Sequence, residues 1–140
     1  MELLGNLADG FFIAFEPLNL GLMIVGVIVG LFIGAMPGLG SVNGVAILLP
    51  MTFLVPPTSA IIFLAAIYYG AMYGGAISSI MLGIPGASTA VATTFDGRPL
   101  ALKGEADKAL IGAAMASFVG GTISIILFTL FAPPLAKWAL

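Results

Sequence analysis

The 140 residues contain no cysteine and no histidine. Disulfides, thiolate nucleophiles and imidazole metal sites are therefore excluded from this stretch. Charge is almost missing as well: Asp, Glu, Lys and Arg make up 7% of the chain, against roughly a quarter in an ordinary globular domain. From Pro17 to Phe95 there is no Asp, Glu, Lys, Arg or His at all. A soluble domain needs a charged outer face, so this run is not one soluble core. It is long enough for several crossings of a hydrocarbon layer about 30 Å thick. The first sixteen residues carry Glu2, Asp9 and Glu16 but no base, which a secretory signal peptide would require. With a formal net charge of −2, nothing points to nucleic acid as a partner.

What is present is apolar and broken. Hydrophobic residues make up 61% of the chain, alongside 19 Gly and 9 Pro. The composition predicts an all-α, polytopic transmembrane protein with discontinuous or re-entrant helices broken at Pro-Gly motifs. In a membrane, broken backbone survives only where protein or a water-filled cavity covers it, so the breaks carry the functional information.

The first apolar segment runs from Leu20 to Met36 and spans about 25 Å as a helix. Its Gly26, Gly30 and Gly34 form a bare stripe suited to close helix packing. Pro37, Gly38 and Gly40 break it. Val42 to Val55 follows, about 21 Å if helical and too short to cross, so a re-entrant half-helix or a discontinuous helix is expected. Thr58 to Gly83 is the clearest span and holds all three tyrosines, expected in packing or a pocket wall rather than a headgroup belt. A second break falls at Gly83–Thr89, followed by a short apolar piece, 87–95, and a charged loop, 96–108. That loop has three basic residues and is weakly assigned to the cytoplasm. The final span is Ala109 to Ala132, with Ala116, Gly120 and Gly121 as packing positions. Pro133-Pro134 is expected to end it, with Lys137-Trp138 as an interfacial anchor.

Each break leaves unpaired backbone N–H groups at the start of a half-helix. Left unsatisfied at membrane depth, such donors cost several kcal/mol each, and a helix N-terminus is a natural site for an anion. Ser41, Asn43, Ser88 and Thr89 stand where side chains can add donors for a carboxylate or oxygens for Na⁺. An ordinary capped loop is the plainer reading of either break alone. Sharper motifs fail. There is no GxxxxGK[ST] for ATP, the Gly38–Gly44 run lacks dinucleotide spacing, and no acid pair in the apolar run supports hydrolysis or a proton relay. No enzyme activity is expected, and no ring of charges argues for a channel.

At these residues the chain resembles the large permease subunit of the tripartite tricarboxylate transporter family. The matching motifs are Gly34-Ala-Met-Pro37-Gly-Leu-Gly40, Leu48-Leu-Pro50-Met-Thr-Phe53 and Tyr68-Tyr-Gly-Ala-Met-Tyr-Gly-Gly75. Ile84-Pro85-Gly86, Asp96-Gly-Arg-Pro99 and Ser117-Phe-Val-Gly-Gly121 follow in order. The resemblance implies a multi-pass protein of the bacterial inner membrane, a secondary transporter for organic di- or tricarboxylates. It implies a periplasmic solute-binding protein and a small membrane subunit as partners, and drive by an ion gradient of Na⁺ or H⁺ with no cofactor. The substrate-site tips implied are Pro37, Gly38, Gly40, Ser41 and Asn43 at the first break, and Pro85, Gly86, Ser88 and Thr89 at the second. Family members are several times longer, so residues 1–140 are expected to be the N-terminal portion of a single permease domain. Members often carry an acid just after the second Pro-Gly, where this chain has Ala87. The alternative is a small, non-transporting membrane subunit whose glycine faces only dock helices.

Overall fold

The computed structural model describes residues 2–139, with side chains described for residues 5–135. Every regular element among them is helical. Helices α1 (Glu2–Ala14) and α2 (Pro17–Ala35) are followed by α3 (Gly40–Leu48), which runs on as a 3-10 helix (Leu49–Leu54). Then come α4 (Pro57–Leu82), a 3-10 turn (Ser88–Ala90), α5 (Val91–Leu102) and α6 (Ala106–Ala139). Three of these, α2, α4 and α6, are long and apolar enough to cross a membrane.

Helix α2 starts earlier than the apolar run suggests, because Pro17 is preformed for the first helical turn and Glu16 before it is extended, at ψ 141°. The core is the contact of α2 with α4. Gly26 faces Phe63 and Ala66, Gly30 faces the backbone of Ile67 and Ala71, and Gly34 faces Ala71. In return, Gly70 and Gly74 of α4 lie against Val27 and Leu31. Residue numbers rise together along both helices, so the two run parallel. The glycine rows interlock backbone to backbone, which lets dispersion act between main chains where lipid gives no hydrophobic drive.

Parallel neighbours need a return stroke, and α3 with its 3-10 extension supplies it. Ser41 touches Met72, Gly44 faces Ile33, and Met51 and Leu54 share an apolar cavity with Pro17 and Phe63. The segment thus runs antiparallel to α2 over nearly its whole length. It reaches because the 3-10 rise of about 2.0 Å per residue stretches the second part, giving roughly 25 Å in all. The segment judged too short to cross is therefore a discontinuous helix whose ends lie at opposite ends of α2. Thr52 steadies the 3-10 part by donating to the Leu49 carbonyl at 2.6 Å.

The second break is the re-entrant one. Helix α4 ends at Gly83, which takes a left-handed φ of +73°, and the chain then dips back along α4. Gly86 lies against the Gly34 carbonyl and Ser78, and Thr89 reaches Met72, ten residues before the α4 C-terminus at Leu82. Helix α5 then climbs out again. Ser79 donates to the Ala90 carbonyl at 3.0 Å, Gly97 packs on Ile80, and Arg98 donates to the Met81 carbonyl.

Three sequence expectations are corrected here. Asp96-Gly97-Arg98-Pro99 lies inside α5, and the non-helical link is only residues 103–105. Packing of Gly97 on Ile80 and the Arg98 cap on α4 hold this polar stretch helical. Helix α6 begins at Ala106, with Asp107 in its first turn, and continues through Pro133 and Pro134. Proline's fixed φ suits a helix. Each proline removes the donor to the Thr129 or Leu130 carbonyl and its ring crowds that carbonyl, yet the helix runs on to Ala139. Finally, a side chain at Gly120 or Gly121 would touch nothing within 4 Å, so among the described residues neither position is a close helix contact. The expected anchor at Lys137-Trp138 lies outside the described side chains.

Candidate functional site

The two breaks, far apart in sequence, open onto one cavity of about 350 Å³. The first contributes Gly38, Gly40 and Ser41, and the second contributes Pro85, Gly86, Ser88 and Thr89. Their approach has a backbone cause. Gly86 sits where a side chain would collide with the Gly34 carbonyl, and Gly40 faces the Gly86 carbonyl. Gly38 and Gly40 carry φ of +91° and +67°, which turn the chain sharply enough to aim the α3 N-terminus inward.

Two expected site residues fall elsewhere. Pro37 is exposed and does not line the cavity, and Asn43 is exposed on α3, one residue past the wall. In a helix starting at Gly40, Ser41 and Asn43 point about 200° apart, so one cannot follow the other into the cavity.

The remaining walls are Leu39, Val42 and Ala87 from the breaks, with Tyr68 and Met72 from α4. Met72 joins the halves: Ser41 donates to its sulfur at 3.5 Å and Thr89 at 3.7 Å. Its place was not readable from sequence, because it depends on the parallel register of α2 and α4. A second cavity, about 310 Å³, lies between α4 and α6 behind Tyr68 and Met72. Tyr69, Tyr73, Gly120 and Gly121 line it. All three tyrosines therefore line a cavity, Tyr68 and Tyr69 with part of their rings still exposed. Tyr68 and Tyr69 meet edge to face at 6.0 Å, and Tyr73 donates to the Leu110 carbonyl at 3.1 Å, tying α4 to α6.

No charged side chain lines the first cavity. Neither α3 nor the 3-10 turn leading into α5 has a side-chain cap on its N-terminus. The first residues of α3 and of the 3-10 turn that leads into α5 therefore line one space with no side-chain cap on either start, and helix starts of this kind favour an anion. The hydroxyls of Ser41, Ser88 and Thr89 add rotatable donors and acceptors to its walls.

No solved structure matches the chain. It is 43% identical, over all of its 140 residues, to a 52.8 kDa protein of Agrobacterium vitis. That protein is described as uncharacterized and is encoded in the TAR-I ttuC' 3' region. The chain spans 28% of that relative's length. The family described as the tripartite tricarboxylate transporter TctA family matches residues 20–140. Three membrane-length apolar helices and a family match over most of its length make this a multi-pass membrane protein, and the chain belongs to the tripartite tricarboxylate transporter TctA family.

Proposed function

We propose that this chain supplies one substrate-binding unit of an ion-driven carboxylate permease, with the α3 and α5 N-termini holding a carboxylate between them. The observation that supports this most is the convergence of two uncapped helix starts on one charge-free cavity. Discontinuous helices presenting their positive ends to a substrate carboxylate are a recurrent transporter design. A volume of about 350 Å³ stands at the small end of ligand pockets, which suits a small organic acid.

In this reading the N–H groups at the two tips carry the anion's charge, and Ser41, Ser88 and Thr89 select its shape. Carbonyls freed at the breaks, with the same hydroxyls, would coordinate Na⁺ as the coupling ion. A periplasmic binding protein and a small membrane subunit would complete the system in the bacterial inner membrane. The uncapped helix starts support the anion site, and the family supports the tripartite assembly.

The test is uptake by the complete transport system across a panel of di- and tricarboxylates. Removing a hydroxyl that bonds a charged ligand costs about 1.5–3 kcal/mol. Ser41→Ala with Thr89→Val should therefore raise KM at least tenfold at normal expression. Unchanged KM and unchanged Na⁺ dependence would remove the cavity as the substrate site. The docking-subunit alternative would then take its place.

A further inference from the structure

Helix α1 is not used by the site. It stands clear of the bundle, with residues 5–13 exposed on every side. Its sequence is nonetheless two-faced, with Ile13 the exception on the polar side. Leu7 and Phe11 share one helix face, with Phe12 at its edge, while Asn6 and Asp9 lie opposite. Phe15 continues that face in the turn just past Ala14, bonded back to the Phe11 carbonyl at 3.0 Å. The apolar side is bare: Phe11 is 65% exposed, Phe12 78% and Phe15 66%.

The elbow that joins α1 to α2 is fixed. Pro17 and the extended Glu16 prevent one continuous helix. Asn19, only 1% exposed, donates through Nδ2 to the Ile13 carbonyl at 2.7 Å. A buried carboxamide in the first turn of a membrane-spanning helix is costly unless it holds something, and here it holds the end of α1.

We propose that α1 is an interfacial helix that lies on the bilayer surface, with Leu7, Phe11 and Phe15 sunk at the boundary of headgroups and acyl chains. Continuity with α2 argues for lipid as the occupant. The elbow stands at the N-terminus of the membrane-length α2, whose first turns carry exposed Leu18 and Val25. The apolar arc from Leu7 to Phe12 covers about 140°, wider than a coiled-coil seam, and a continuous medium fills such an arc. The acidic side chains and the lack of any Lys or Arg before Arg98 mean that anionic lipid gives no added attraction.

The test is spin-label accessibility on the full-length protein in phosphatidylcholine vesicles. Single cysteines replace Asn6, Leu7, Asp9, Phe11 and Phe15 in turn, with any thiols outside this chain removed. Collision with oxygen reports lipid, and collision with a water-soluble nickel complex reports solvent. Positions 7, 11 and 15 should be oxygen-accessible and several-fold less nickel-accessible than 6 and 9. Anionic lipid should leave this pattern unchanged or weaken it. Nickel access at all five positions would put α1 in water, and protection of 7, 11 and 15 from both probes would mean a protein covers them. Oxygen access at all five would mean a helix embedded in the bilayer. Any of these three results overturns the proposal.

Discussion

Ser41 and Thr89 belong to different breaks, yet both hydroxyls donate to the sulfur of Met72. A thioether is a weak acceptor, so these bonds aim the hydroxyl protons without holding them firmly. A carboxylate entering the cavity is the stronger acceptor and would draw both protons toward itself, releasing Met72. Met72→Leu keeps the side-chain volume and removes the competition. The variant should lose no more than about 1.5 kcal/mol of stability and keep its uptake KM equal to wild type or lowered about two- to threefold, since only a weak acceptor is removed. Thermal unfolding in detergent and uptake kinetics check the two halves separately. A tenfold rise in KM with intact stability would instead mean that the sulfur itself meets the substrate.

The glycine contacts decide how the elements stand, and they divide sharply by position. A side chain at Gly30 would strike the Ile67 carbonyl and the Ala71 nitrogen, which are backbone atoms with no rotamer to move, whereas one at Gly21 of the same helix would meet nothing within 4 Å. Gly30→Leu should therefore separate α2 from α4 and cost about 3 kcal/mol or more, while Gly21→Leu stays near neutral. Size-exclusion behaviour and unfolding temperature of the two variants make the comparison. An equally mild effect of both would mean that α2 and α4 do not share this seam. Much of this was legible in the sequence. The stripe Gly26, Gly30, Gly34, the start of α4 within one residue of Thr58 and both breaks follow from spacing and from proline and glycine stereochemistry. What was not legible depends on tertiary contact. The helicity of Asp96–Pro99 rests on Ile80 and the α4 C-terminus, and the reach of residues 40–54 rests on a switch to 3-10 geometry. Asn43 lies close enough to the first break in sequence to be expected in the site, but the phase of α3 turns it away from the cavity.

Across the whole molecule, α4 is the common rail: α2 runs beside it, the second break dips along it, and Tyr73 fastens α6 to it. The first break belongs to the α2–α3 side and the second to the α4–α5 side, so the cavity lies on the seam between two limbs. Because the glycine rows lock α2 to α4, alternating access at this site would require the two tips, not those helices, to part. The absence of cysteine from the chain makes that movement open to a direct test. Ser41→Cys with Thr89→Cys places two thiols where both native hydroxyls lie within 3.7 Å of one sulfur. In a full-length permease with any other thiols removed, mild oxidation or a short bifunctional reagent should link the pair. The control pair, Asn43→Cys with Thr89→Cys, should not link, because Asn43 lies off the cavity. Carboxylate uptake by the linked protein should fall to background and return on reduction to the level of the unlinked variant. A link that forms while uptake continues would mean that the two tips move as one body, and the access path would then have to open through the α4–α6 cavity behind Tyr68 and Met72.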